Sequence, residues 1–416
     1  MGSFRDVRMM GFASRTLVHD ALQWIDAQTP RCGSEAVPLA HCAGRILATD
    51  VIAAMSVPEF ARSAMDGYAL RAAETTGAGD YNPLTLQLLG EAFPGRAFEG
   101  EVVPGTAVRL MTGAPLPRGA DAVLPVEFAQ EEGQQVQILA PVPSGKHIGT
   151  PGEDVQAGQL LLSAGRRLRP QDVAILASVG IAEAVVVGRP SVLILATGNE
   201  LVAPGQVRQP YQIYDANSSM LRGLIERDGG VVTAARMLPD GRDILRDALT
   251  ATAPDVILIS GGSSVGAEDH APGLVRELGD LPIHGLAMRP SSPAGIGRIG
   301  KSLVFLLPGN PVSCLCAYDF FAGRAIRQLG GRGSQWPYPT LTAPLDRKLV
   351  SAIGRLDYAR VRISDGKVEP LALSGASVLS STVRADGFVV IPEEIEGYGA
   401  GTEVKVFLYD AVGSSG

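Results

Sequence analysis

The stretch Asp255-Val256-Ile257-Leu258-Ile259-Ser260-Gly261-Gly262-Ser263-Ser264 constrains the fold more than any other part of the chain. Val256 to Ile259 has no polar face, so the strand it forms must be covered on both sides, as in a parallel sheet between layers of helix. At Ser260 the apolar run stops. Gly261 and Gly262 lack Cβ, which lets the backbone turn sharply and lets a ligand approach the amides. Such a loop can cradle an oxyanion. Glu268 and Asp269 follow at the mouth of the turn, where carboxylates oppose a phosphate unless a divalent cation lies between them. The local reading is a phosphate loop with a metal-binding flank; a plain tight turn is the competing one, and the acidic pair weighs against it.

Around this stretch, strand and helix patterns alternate from Ser191 to Gly330. Val192–Ala196, Val231–Ala235, Val256–Ile259 and Ser302–Leu307 read as strands. Ser218–Asp228 carries Met220, Leu221, Leu224 and Ile225 on one helical face, Asp243–Thr252 carries Ile244, Leu245, Ala248 and Leu249, and Asn310-Pro311 caps and opens a helix to about Leu329. Alternation of this kind predicts a doubly wound α/β domain with a parallel sheet, whose ligands bind beyond the carboxyl ends of the strands. Three strand ends share one design: Thr197-Gly198-Asn199-Glu200, Ser260 to Ser264, and Pro308-Gly309-Asn310-Pro311. All three are expected on one edge of the sheet.

At 416 residues the chain is long enough for about three domains, taking ~150 residues for each. Val18, Leu22 and Ile25 place a short amphipathic helix at Thr16–Ala27. The Pro58 to Tyr68 stretch is too irregular for helix or strand. Alternation at Leu84, Leu86 and Leu88, with runs at Ala122–Val126 and Gln135–Leu139, predicts an inserted all-β arm, and Pro141 to Gly152 reads as a linker. Pro170 opens a helix that Gly180 follows. Arg360–Ile363, Gly387–Ile391 and Glu403–Phe407 predict a C-terminal β-barrel-like domain. The boundaries expected are 14–55 with 153–189 for a discontinuous connecting domain, 56–152 for the arm, 190–331 for the α/β domain and 335–410 for the C-terminal domain.

With 36 basic and 43 acidic residues the net charge is -7, which argues against a nucleic-acid surface or an anionic membrane as partner. Cys32, Cys42, Cys314 and Cys316 lack metal-site spacing and read as reduced, buried thiols of a cytoplasmic protein. No uninterrupted apolar run reaches the ~18 residues of a membrane span.

Five separated words complete the pattern: Ser63-Ala64-Met65-Asp66-Gly67-Tyr68-Ala69, Met111-Thr112-Gly113-Ala114-Pro115-Leu116-Pro117, Thr197-Gly198-Asn199-Glu200-Leu201, Ser260 to His270, and Leu307-Pro308-Gly309-Asn310-Pro311-Val312-Ser313. In this order they resemble the molybdopterin molybdenumtransferase family, the MoeA-type proteins related to the E domain of gephyrin. The resemblance implies a cytosolic homodimer of four-domain protomers, active in molybdenum cofactor biosynthesis. It implies a magnesium-dependent reaction in which adenylylated molybdopterin is cleaved, molybdate enters the dithiolene and AMP leaves. It further implies a site between the arm of one protomer and the α/β domain of the other, and contacts with a molybdenum enzyme or an upstream adenylyltransferase.

Residue roles follow from that resemblance joined to side-chain chemistry. Thr197, Gly198, Ser260, Gly261, Gly262, Ser263 and Ser264, with Pro308, Gly309, Asn310 and Pro311, are expected to hold the pyrophosphate and nucleotide. Glu200, Asp240, Glu268 and Asp269 offer hard oxygen donors to magnesium, with Asp154 as a further donor. Asp66, Thr112, Glu200, Asp269 and Arg289 are the expected catalytic set. Asp240 by itself sits in an ordinary Pro-Asp-Gly turn. His270 and His284 read as hydrogen-bonded loop histidines, since magnesium prefers oxygen.

The chain departs from the family pattern at Gly285 to Pro293, where the usual lysine positions read Gly285, Arg289 and Ser292. Gly149 stands where an arginine is usual, and Arg62 where a small polar or acidic residue is. A guanidinium is not equivalent to an ammonium toward an oxyanion. Arg289 and Arg298 are the cations expected to compensate. Besides the transferase reading stand a non-catalytic protein that binds or delivers molybdopterin or its molybdenum cofactor, and a phosphoanhydride hydrolase acting on another nucleotide.

Overall fold

In a computed structural model the described residues are 15–263, 269–373 and 375–410. They fall into two compact units, one of residues 36–185, the other of the described residues up to Glu35 together with those from Val186 onward.

The second unit is built on a six-stranded sheet in the order Val231–Leu238, Ser191–Thr197, Val256–Ser260, Ser302–Leu307, Gly295–Ile299, Asp280–His284. The first four strands run parallel. Their residues alternate between two layers of core. Val192, Ile194, Val256, Leu258, Leu303, Phe305 and Leu307 pack with Leu221 and Ile225 of the helix Asn217–Asp228. Leu193, Leu195, Ile257, Ile259, Val304 and Leu306 pack with Leu245, Ala248 and Leu249 of Arg242–Thr250, and with Leu274 and Val275 of Ala271–Leu278. An apolar run with no polar face is what a strand covered on both faces requires, and the doubly wound architecture follows.

The sheet is mixed, however, and this corrects the all-parallel expectation. Gly295–Ile299 runs antiparallel to Ser302–Leu307, and Asp280–His284 antiparallel to Gly295–Ile299. Pro282 interrupts the strand signal, and Asp280–His284 is an edge strand, where a proline is tolerated. The helix Ala271–Leu278 also escapes the sequence reading, because Pro272 and Gly273 near its start mimic a turn. The final helix of the domain is not continuous: Pro311–Ala317 and Gly323–Leu329 flank a π-type turn over Tyr318–Ala322. There Trp336 Nε1 donates to the Asp319 carbonyl at 2.8 Å, and such insertions are a usual cause of π turns and kinks.

The C-terminal part forms another sheet, ordered Met288–Arg289, Leu356–Ser364, Gly387–Ile391, Glu403–Leu408, Thr340–Pro344, with Lys367–Ala372 paired to Leu356–Ser364. Its outermost strand is Met288–Arg289, contributed by the α/β part and parallel to Leu356-Asp357.

In the unit of residues 36–185, the all-β sheet is ordered Ala122–Pro125, Gly67–Leu70, Thr106–Leu110, Leu84–Ala92, Gln135–Ile138, Ala129–Glu132. Tyr68, Leu70, Ala107 and Leu124 face one core, while Ala69, Val108, Leu110 and Val123 face a second. The Pro58 to Tyr68 stretch is thus not wholly irregular: Gly67–Leu70 is a central strand, hidden in the sequence because all four of its residues are buried and none alternates with a polar one. The linker expectation for Pro141 to Gly152 is corrected as well, since Ile148-Gly149 pairs with Ser63-Arg62. Arg62 then reaches Glu153, Nη2 to Oε1 at 2.8 Å, and a Cβ on Gly149 would lie 2.9 Å from that carboxylate.

Candidate active site

The three strand ends do meet. One cavity of about 650 Å³ is lined by Thr197, Gly198 and Glu200, by Ser260, Gly261, Gly262, Ser263 and Asp269, by Pro308, Gly309, Asn310 and Pro311, and by Asp240 from the loop after Val231–Leu238. Ser264 and Glu268 lie outside the described residues. Side chains that the sequence reading did not single out, Asp215 and Asn217, also line the cavity.

Backbone geometry explains the glycine loop. Gly261 has φ +95°, and a Cβ there would lie 2.4 Å from the Thr197 carbonyl oxygen. Only glycine satisfies both conditions. Gly198 serves the acidic flank: its Cβ would fall 2.5 Å from Glu200 Oε2, so the carboxylate lies folded over the end of its strand. Asn199 and Asp240 lock two loops reciprocally. The Asn199 amide donates to Asp240 Oδ2 at 3.0 Å, and the Asp240 amide donates to Asn199 Oδ1 at 3.1 Å. Glu200, Asp240 and Asp269 therefore share one cavity as oxygen donors, chemistry that fits magnesium. Among the described residues no three His, Cys, Asp or Glu side chains converge as a metal-holding group, so such an ion would draw part of its shell from substrate oxygens and water.

Two buried polar atoms in the cavity wall, Thr197 Oγ1 and Asn217 Oδ1, have no hydrogen-bond partner among the described residues. A buried acceptor left unpaired costs about 1–3 kcal/mol, and a ligand in the cavity would relieve it.

Below the loop, His284 ends the strand Asp280–His284 and lies 3.0 Å from the Ser263 carbonyl through Nε2, with Arg276 Nη2 at 3.2 Å from Nδ1. It is a strand residue rather than a loop residue. A guanidinium can only donate, so Nδ1 accepts and Nε2 carries the proton given to Ser263. Burial lowers the His284 pKa, in keeping with the neutral ring. His270 occupies the N-cap position of Ala271–Leu278.

Arg289 does not line this cavity. It borders a neighbouring one of about 810 Å³ that shares Pro293, Pro308 and Asn310 with it and includes Arg15, Ser291, Ser292 and Arg355. Arg289 bonds bidentately to Asp357, Nε to Oδ1 at 3.1 Å and Nη2 to Oδ2 at 2.5 Å. Asp357 is fully buried and also takes the Ser351 hydroxyl at 2.7 Å, with Arg355 Nε at 3.4 Å. Two guanidinium groups about one carboxylate leave a net positive wall, although Arg289 is not a free cation. Arg298, expected to compensate, lines neither cavity; its Nη1 donates to Gln28 Oε1 at 2.6 Å. Ser291 holds a left-handed φ of +88°, rare for a residue with a side chain, and its hydroxyl donates to the Ser313 carbonyl at 2.6 Å. Asn310 sits at the N-cap of Pro311–Ala317 but makes no side-chain cap bond. Its Oδ1 instead accepts from the Ser377 hydroxyl at 3.0 Å.

Asp66, Thr112 and Asp154 belong to the unit of residues 36–185. Asp66 and Thr112 are joined directly: Oδ1 of Asp66 accepts from the Thr112 amide at 2.6 Å and from its hydroxyl at 2.7 Å. The Thr112 hydroxyl, then its amide, hold the Asp66 carboxyl below its ordinary pKa. Asp154 is exposed, and its amide donates to the Val57 carbonyl at 3.1 Å. Thr112→Val should return the Asp66 pKa toward the ordinary carboxylate value, read by NMR titration; an unmoved value would mean that the hydroxyl bond does not form in solution.

The thiols match expectation in part. Cys42, Cys314 and Cys316 are buried and free, whereas Cys32 is only half-buried. Burial pushes Cys314 up to about 12, so it is inert as a nucleophile near neutral pH. Among the described residues no helix is long and apolar enough to cross a membrane.

Comparison with known proteins gives the same outline. Family models match in chain order: the MoeA N-terminal region (domain I and II) over residues 16–180, a domain described as "Probable molybdopterin binding domain" over 193–328, and the MoeA C-terminal region (domain IV) over 342–409. Molybdopterin molybdenumtransferase 2 of Mycobacterium tuberculosis is 37% identical, with 90% of this chain and 95% of that protein covered. The molybdopterin molybdenumtransferase of Haemophilus influenzae is 34% identical, with 90% and 93% covered. A crystal structure of the molybdopterin biosynthesis MoeA protein from Pyrococcus horikosii superposes with a TM-score of 0.81 at 32% identity, covering 96% of this chain and 100% of that one. Three domain matches in order and full-length relatives at this identity show that the chain belongs to the MoeA-type molybdopterin molybdenumtransferase family.

Proposed function

We propose that this protein inserts molybdate into adenylylated molybdopterin with release of AMP, using magnesium. The observation that carries this reading is the single cavity that collects the glycine loop, the carboxylates of Glu200, Asp215, Asp240 and Asp269, and two buried polar atoms with no partner among the described residues. The Gly261 amide donates to the Leu307 carbonyl at 3.1 Å, so the amides of the turned loop that face substrate phosphate are those of Gly262 and Ser263. Glu200, Asp240 and Asp269 hold magnesium, which when bound neutralises charge on the phosphoanhydride oxygens. His284 fixes the Ser263 carbonyl and so the pitch of the loop. The adjoining cavity, with Arg15, Arg289 and Arg355 on its wall and Asn310 shared, receives the molybdate. The working form is a homodimer.

The Arg289–Asp357 pair sustains the second reading, a protein that binds the pterin nucleotide or the finished cofactor for delivery, because a guanidinium already paired to a buried carboxylate has less to give an incoming oxyanion. One assay separates the two. Purified protein with adenylylated molybdopterin, magnesium and molybdate should release AMP, and Asp269→Ala should lower that rate by more than about tenfold to a hundredfold, the loss seen when only a group supporting a metal ligand is removed. Tight binding without AMP at any metal or molybdate concentration would favour delivery and exclude the transferase.

A further inference from the structure

Asn217 is the first residue of the helix Asn217–Asp228 and is 8% exposed. Its side chain spans two of the strand ends: Nδ2 donates to the Ser260 hydroxyl at 2.9 Å and to the Gly309 carbonyl at 2.8 Å. A carbonyl can only accept, so the atom facing Gly309 must be the nitrogen, and the orientation of the amide follows. Both hydrogens of Nδ2 are then spent. Oδ1, on the other side of the same rigid amide, is buried with no partner among the described residues, and Asn217 lines the cavity wall together with Thr197, whose buried Oγ1 has none among them either. Asp215 secures the approach to the helix by accepting from the Ser218 amide at 3.0 Å.

We infer that Asn217 is a specificity-determining residue of this cavity: its nitrogen clamps the Ser260 and Gly309 loops together, and its oxygen accepts a hydrogen bond from an N–H or O–H donor on the nucleoside or pterin part of the ligand. The inference rests on the proposed function of the cavity. A buried acceptor rejects a ligand that lacks the matching donor, because the group then stays unpaired in the complex. A residue that served only as a clamp would weaken every ligand alike when removed. An acceptor makes the loss depend on the ligand, and that difference is measurable.

The test is calorimetric titration of the full chain with ligand pairs that differ by one donor: AMP against its 2′-deoxy, 3′-deoxy and 6-deamino analogues, and pterin against N3-methylpterin. The wild-type protein should bind one parent about five- to tenfold tighter than its partner lacking the donor, the size of one hydrogen bond. The pair that discriminates names the source. In Asn217→Ala, and in Asn217→Ser as a second variant, that ratio should fall to about one. The inference is overturned if the wild type discriminates in no pair, or if either variant keeps the ratio while all affinities fall together. The wild-type ratio is informative even where a variant fails to fold. Should the wild type bind neither AMP nor pterin, the functional reading of the cavity falls and takes the inference with it; binding whose selectivity survives both substitutions overturns the inference alone.

Discussion

Gly261→Ala should weaken AMP binding more than tenfold and lower the midpoint of thermal unfolding. At φ +95° an L residue is strained, and the new methyl would lie 2.4 Å from the Thr197 carbonyl oxygen, well inside contact distance. A left-handed residue costs about 1–2 kcal/mol and overpacking about 1–3 kcal/mol, so roughly 2–5 kcal/mol must be absorbed. Thr197 cannot retreat, because its strand is paired on both sides, to Val231–Leu238 and to Val256–Ser260. The loop has to move instead, straining the Gly261 amide's bond to the Leu307 carbonyl and taking the amides of Gly262 and Ser263 away from the phosphate position. Titration with AMP and a melting curve check both effects; unchanged affinity would show that the loop amides do not hold the nucleotide.

Arg227→Met should cost about 3–5 kcal/mol in urea unfolding, the range for breaking a buried ion pair from one side. Arg227 Nη2 lies 2.9 Å from Asp228 Oδ2 and 2.9 Å from Asp319 Oδ1, and both carboxylates are fully buried. Tyr338 donates to Asp319 at 2.9 Å and Tyr318 to Asp228 at 3.1 Å, while Arg327 Nη1 is 3.1 Å from Asp228. Burial pushes the Asp319 carboxyl up, and Arg227 opposes that push. Without Arg227 the folded-state pKa climbs further above its unfolded value. A carboxyl raised in this way stabilises the fold when protonated and loses that contribution as pH rises through the folded pKa. The deficit of the variant should therefore be largest at neutral pH and shrink on acidification. A deficit that grew toward acid would refute this account.

Elements with an unbroken apolar run or a shared strand-end design are legible in the amino-acid order, and elements broken by proline or glycine are not. Val256 to Ile259 announced a strand covered on both faces, and the strand ends at Thr197, Ser260 and Pro308 pointed to one edge, where a cavity now gathers them. The antiparallel edge stayed hidden because Pro282 and the glycines of Gly295–Ile299 erase strand periodicity, and the helix at Ala271–Leu278 because Pro272 and Gly273 look like a turn. The π-type turn at Tyr318–Ala322 left no trace, since buried apolar residues surround Asp319 on every side in sequence. Asn217 was missed for another reason. It sits at a helix start, where asparagine ordinarily signals capping, and only the partners of its amide reveal a different task. The signal available was Asp215 three residues before Ser218, an Asx-type turn that left Asn217 without a capping duty.

The pairing of Met288-Arg289 with Leu356-Asp357 binds the segment beside the cavity to the last quarter of the chain. A shortened gene product ending near residue 331 would keep every residue of the glycine loop and lose Asp357, exposing an unpaired strand and a guanidinium without its carboxylate. The C-terminal domain is thus no detachable appendage. Proteolytic trimming there would disable the site from a distance, and the exposed strand would favour self-association.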